Sequence, residues 1–99
     1  MDIQVEKQES NVTLFVSGRI DTNTSPEFEE TINQNIEEDT NLVLDFEKVE
    51  YISSAALRVL LATHKKLKNG GSLRIVHVND VVMEILNITG FLDILDVEN

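Results

Sequence analysis

Two adjacent hydroxyls, Ser53 and Ser54, stand in the stretch YISSAAL (Tyr51 to Leu57), where an apolar run gives way to a helical pattern. A serine at a helix start has two uses. Its side-chain oxygen can accept a hydrogen bond from a backbone N–H two or three residues on, which contributes about 1 kcal/mol. It can also carry a covalent group at the surface. One serine suffices for the cap. If Ser53 accepts from Ala55 or Ala56, Ser54 becomes the first helical residue, with its hydroxyl free. A phosphate placed there would meet the positive end of the helix dipole, which favours anions by about 0.3–1 kcal/mol at exposed sites.

Other chemistry is sparse. His64 and His77 have no neighbour in sequence at metal-ligand spacing, so packing or surface roles are expected of both. Asp21-Thr22-Asn23-Thr24 starts like a calcium loop, but Pro26 stands where that loop needs Gly and Ile32 where it needs Glu. There is no cysteine, hence no disulfide, thiolate metal site or thiol nucleophile. Phosphate-binding glycine loops and the G-x-S-x-G elbow are missing as well. No nucleophile and base pair is visible, so the chain is expected to be neither an enzyme nor a cofactor or metal protein.

The elements that must position Ser53 and Ser54 are legible from hydrophobic spacing. Ile3 and Val5, then Val12, Leu14 and Val16, alternate with polar neighbours around Glu9 to Asn11, which predicts a hairpin ending at Gly18. Thr24 or Ser25 can cap a first helix, with Pro26 in its first turn and Glu27 closing a capping box with Thr24. Its stripe Phe28, Ile32, Ile36 predicts helix to about Glu38. Asn41 to Phe46 is apolar at consecutive positions, as in a central strand covered on both faces. After Ser54, Leu57, Leu60, Leu61, His64 and Leu67 form a second helix that Asn69-Gly70-Gly71 ends. Ser72 to Val78 predicts a strand, and Asn79 or Asp80 caps a third helix stopping near Gly90, before a tail from Phe91 to Val97. Strand, helix, strand from Leu42 to Val78 implies a parallel pair with a right-handed crossover, hence an α/β sandwich with a mixed sheet.

Composition bounds the partners. At 99 residues one domain, residues 1–99, is expected. A formal charge of −10 repels phosphate backbones and anionic lipid, so neither direct nucleic-acid binding nor membrane binding is expected. Residues 20–47 hold nine acidic side chains and no Lys or Arg, a face that suits a basic protein surface or plain solvation. No apolar run reaches the roughly 20 residues of a membrane span and the start lacks a basic leader pattern, so a cytoplasmic location is expected.

Three segments, GRIDTNTSPEFE (Gly18 to Glu29), LVLDFEKVEYISSAALRVLL (Leu42 to Leu61) and NITGFLDIL (Asn87 to Leu95), together resemble the anti-sigma factor antagonists of the STAS superfamily. The resemblance runs in order over nearly the whole chain and is most specific at the strand, Ser-Ser, helix segment. It implies a four- or five-stranded mixed β-sheet flanked by α-helices. It also implies a protein switch: the unphosphorylated form binds an anti-sigma factor that is a serine kinase, which frees sigma factor for transcription. Phosphorylation by that kinase ends binding, and a serine phosphatase restores it. The family's phosphorylated serine aligns with Ser54, and Ser53 is the second candidate. Asp21 matches a family position beside the serine loop, and partner contacts are expected of Asp21, Thr22, Asn23, Thr24, Ser53, Ala55, Ala56 and Arg58. The family pattern is D-S-S-G-L. Here Ser53 replaces Asp, Ala55 the second Ser and Ala56 the Gly; Ser53 can still cap, as Asp would. The alternative the same resemblance allows is an unphosphorylated scaffold or transporter-associated interaction module.

Overall fold

The computed structural model describes residues 1–99. Strands β1 (Asp2–Gln8) and β2 (Asn11–Ile20) form the expected hairpin, Gln8 facing Asn11 across a turn in which Glu9 takes a left-handed φ of 56°. Then follow α1 (Ser25–Asn35), β3 (Asn41–Ile52), α2 (Ser54–Leu67), β4 (Ser72–Val76), α3 (Asp80–Ile88), a short 3-10 turn (Phe91–Asp93) and β5 (Asp96–Val97). The five-stranded sheet has the order β1-β2-β3-β4-β5, antiparallel between β1 and β2 and parallel elsewhere.

This order decides where the helices lie. Three successive right-handed crossovers that step the same way across a sheet place all their helices on one face. Burial agrees: Val12, Leu14 and Val16, Leu42, Leu44 and Phe46, and Leu73 and Ile75 are buried, with Phe28, Ile32, Leu60 and Leu86 of the helices. The alternate positions Thr13, Val43 and Val76 are only half-buried, and Phe15 and Arg74 are exposed. The expectation that β3 is covered on both faces is therefore corrected: the molecule has two layers, and consecutive burial in β3 reflects the half-buried Val43 and the buried Asp45 on the open face.

Several boundaries also differ from expectation. Strand β2 continues beyond Gly18 to Ile20, because a register shift between Gly18 and Arg19 lets pairing with β3 resume, with Gly18 at φ 101°. Strand β3 reaches Ile52 rather than Phe46. A second shift pairs Phe15 with Asp45 but Ser17 with Lys48, inserting one extra residue into β3. Helix α1 ends at Asn35, not near Glu38, because Ile36 turns extended (φ −124°, ψ 152°) to bury its side chain, and Glu37 N–H donates to Thr40 Oγ1 at 2.8 Å. Strand β4 stops at Val76 because His77 adopts a left-handed φ of 58°.

The two glycines after α2 differ in kind. A Cβ on Gly71 would lie 2.1 Å from the Thr40 carbonyl oxygen, whereas one on Gly70 would meet nothing closer than 3.4 Å. Gly71 N–H donates to Leu67 O, and Ser72 N–H to Thr40 O at 3.0 Å, so this crossing of backbones ties the end of α2 to the start of β3. Gly71→Ala should therefore cost about 1–3 kcal/mol or more in a urea melt, while Gly70→Ala stays much closer to wild type. Equal losses at the two positions would contradict the close approach.

Candidate functional site

Ser53 and Ser54 sit where β3 ends and α2 begins, at the carboxyl ends of parallel strands, the side of open α/β sheets where ligands approach. Ser53 is the N-cap, extended at φ −99° and ψ 176°, and its Oγ accepts from Ala56 N–H at 3.4 Å. Its own N–H donates to Ile20 O at 2.9 Å, continuing the β2–β3 ladder by one bond beyond Ile52. Ser54 is the first residue of α2 and is exposed. With Ser53 committed to the cap, Ser54 presents its hydroxyl outward, beside unpaired N–H groups of the first turn. Ser53→Ala should lower stability by about 1 kcal/mol and Ser54→Ala should change it little, as denaturant midpoints would show. A larger loss at Ser54 would reverse the cap assignment.

The neighbouring surface comes from the end of β2. Strands β2 and β3 pair in parallel through Arg19 and Tyr51, then Ile20 and Ile52, so the Asp21–Thr24 loop leaves the sheet beside Ser53. The Arg19 guanidinium lies over the Tyr51 ring, 4.6 Å from its centroid, a cation–π contact that braces this end of the sheet.

Asp21 organises the loop, and the capping box expected of Thr24 and Glu27 does not form. The Asp21 carboxylate accepts from Asn23 N–H at 2.9 Å and Thr24 N–H at 3.1 Å, and Ser25 N–H donates to Asp21 O at 2.8 Å. It thus caps a turn that leads into α1. Thr24 Oγ1 instead donates to Arg19 O at 2.8 Å and accepts from Asp21 N–H at 2.9 Å. The hydrogen bond from Thr24 N–H, with further help from Asn23, the Thr24 hydroxyl and nearby Arg19, outweighs desolvation and holds the Asp21 pKa below the ordinary carboxylate value. Asp21 therefore stays ionised at neutral pH.

Of the residues expected at a partner surface, Thr22, Asn23 and Arg58 are exposed, and Asp21, Thr24, Ser53 and Ala55 are half-buried. Ala56 is fully buried, and it shapes the helix start through its N–H and its core methyl. Arg58 lies four residues after Ser54, on the same face of α2.

The structure also gives His77 a partner that local spacing did not show. Its Nδ1 lies 2.9 Å from Asp45 Oδ2, and Asp45 Oδ1 accepts from Glu47 N–H at 3.0 Å. The donor atoms of Asp45, Glu47 and His77 fall within 4.8 Å of one another. Spacing along the sequence gives His77 no such neighbour, and Asp45 reaches it from 32 positions away. The observed bonds give Asp45 a structural task, joining the end of β4 to the bulged part of β3. Tyr51 and Arg19, which brace the site, were not singled out from the sequence; their signal is the parallel register, visible only once β2 and β3 are paired.

Comparison with known proteins places this two-layer α/β fold. The STAS domain model matches residues 2–99, and the chain belongs to that family. It is similar to the anti-sigma-B factor antagonist of Bacillus subtilis (strain 168), 28% identical over 98 residues covering 98% of this chain and 90% of the relative. The anti-sigma-B factor antagonist of Listeria monocytogenes is 30% identical over 104 residues, covering 100% of this chain and 91% of the relative. The crystal structure of an anti-sigma factor antagonist from Mycobacterium paratuberculosis superimposes with a TM-score of 0.88 at 26% identity, covering 98% of this chain and 84% of that one.

Proposed function

We propose that the chain is an anti-sigma factor antagonist, a binding protein rather than an enzyme, switched by phosphorylation of Ser54. The observation that carries this reading is the division of labour between the serines: Ser53 caps α2, and Ser54 is left exposed at its first position. The names of its relatives supply the partner class. In the unphosphorylated form, the surface around Asp21, Thr22, Asn23, Thr24, Ser53, Ala55 and Arg58 docks an anti-sigma factor that is also a serine kinase, and sigma factor is released to transcription.

The kinase then transfers a phosphoryl group. The Ser54 oxygen forms a bond to the γ-phosphorus of ATP, the bond from that phosphorus to the β,γ-bridging oxygen breaks, ADP leaves and the hydroxyl proton is lost. The product carries about −1.5 to −2 charges at an interface that would have to desolvate them. The free domain tolerates this charge because it faces the positive end of α2. Hydrolysis by a serine phosphatase regenerates the binding form. The cycle takes place in the cytoplasm and needs no cofactor held by this chain, no direct nucleic-acid contact and no membrane.

The test is displacement. Added to a preformed complex of sigma factor with its anti-sigma kinase, the unphosphorylated chain should free sigma stoichiometrically, as read by size exclusion. Retention of the whole complex at saturating chain would refute the reading.

A further inference from the structure

Helix α3 carries more apolar surface than the core uses. Val82 and Leu86 face inward and are buried, while Val81, Ile85 and Ile88 form a second stripe at positions i, i+4 and i+7, with Ile85 packed in part against the core. Ile85 is half-buried, but Val81 is 56% exposed and Ile88 72% exposed, the latter the most exposed of the large apolar side chains. The stripe runs about 10 Å along the helix at 1.5 Å per residue. Isolated exposed apolar residues need no explanation, but three in line on one helix make a ridge that another element can pack against.

The charges around the ridge indicate what would cover it. Asp80 and Glu84 are exposed along one flank. The last turn of α3 holds no basic residue, whereas that of α2 holds His64, Lys65 and Lys66. From Asn79 to Asn99 the chain has five acidic side chains and no Lys, Arg or His. No cation of this segment faces the negative end of the α3 dipole, whose last carbonyls accept only from Thr89 and Gly90. A second copy would meet Asp80 and Glu84 with acidic charge only, in a protein already at −10, so self-association is disfavoured.

We propose that the Val81, Ile85, Ile88 face of α3 is a docking surface for a cationic amphipathic helix of a partner protein. The partner's apolar side chains pack along the stripe, and its Lys or Arg residues meet Asp80, Glu84 and the carboxyl end of α3. This is helix-on-helix recognition with charged flanks, in which apolar anchors give affinity and the flanking charges give orientation. It does not depend on phosphorylation of Ser54.

The test uses the whole chain and two synthetic 18-residue peptides of identical Leu and Lys composition. One places Leu at helical i, i+3, i+4, i+7 spacing, and the other is scrambled. In NMR titrations of the ¹⁵N-labelled protein at physiological salt, the amphipathic peptide should shift amides from Val81 to Thr89 and bind at least tenfold more tightly than the scrambled one. The double variant Val81→Ser, Ile88→Ser, at two exposed positions, should melt near wild type and erase that advantage. Equal affinity for the two peptides, or shifts confined to the acidic residues of α1, would overturn the proposal by showing charge attraction alone. So would a concentration-dependent dimer in sedimentation that Ile88→Ser abolishes, since the occupant would then be a second copy.

Discussion

Ser54→Asp is expected to weaken binding of the anti-sigma kinase more than a hundredfold while leaving the melting temperature near wild type. The two halves of that result have different causes. At the first position of α2 an anion is favourable to the free domain by about 0.3–1 kcal/mol, so folding is not penalised. In the complex the same charge must be desolvated, and a loss of about 3 kcal/mol already exceeds a hundredfold in affinity. Ser54→Ala separates the roles further, because it should bind the kinase as wild type does yet never be released by ATP. Calorimetric titration of both variants reads these outcomes. Comparable affinities for Ser54→Asp and wild type, or ATP-driven release of Ser54→Ala, would move the switch to another residue, with Ser53 next in line.

The second large effect lies in the core beneath the site. Phe28 of α1 and Phe46 of β3 are both fully buried, with ring centroids 6.3 Å apart and planes tilted by 54°. They join the helix that follows the Asp21 loop to the strand that leads into Ser53. Phe46→Ala should cost about 3–5 kcal/mol through lost transfer energy and a residual cavity. That is about a fifth or more of the stability of a domain in the usual range of about 5–15 kcal/mol. At about 4–8 °C per kcal/mol for a domain of this size, the melting temperature should fall by more than about 12 °C. A double-mutant cycle with Phe28→Ala should show coupling of about 0.5–1.5 kcal/mol, the value typical of packed aromatic pairs. Additive losses would mean that the rings only share the same core.

The helices around Ser54 were legible because their signals are local. The stripe of α2, its serine cap and its Gly-Gly stop all lie within one element, and the structure starts that helix at Ser54 as the spacing predicts. The far half of β3 was not legible, since two register shifts make its inward residues recur at Phe46, Val49 and Ile52, every third position instead of every second. The one-sided sheet follows from strand order, which Val43 and Asp45 alone do not reveal. The pairing of Asp45 with His77 and the bracing of Tyr51 by Arg19 join residues distant in sequence, so neither leaves a local pattern. At the Asp21 loop both Asp21 and Thr24 are good caps, and the choice is made by the Arg19 carbonyl, which takes the Thr24 hydroxyl and leaves Asp21 to hold the turn.

The central claim is that one hydroxyl, Ser54, is the phosphorylated group. Intact-mass analysis of the chain after incubation with its anti-sigma kinase and ATP, followed by fragmentation across Tyr51 to Leu61, tests it directly. A single added phosphate is expected, carried by the Ser54 side chain, and none on Ser54→Ala. A phosphate located on Ser53 or elsewhere, or a Ser54→Ala chain that still gains one, would contradict it.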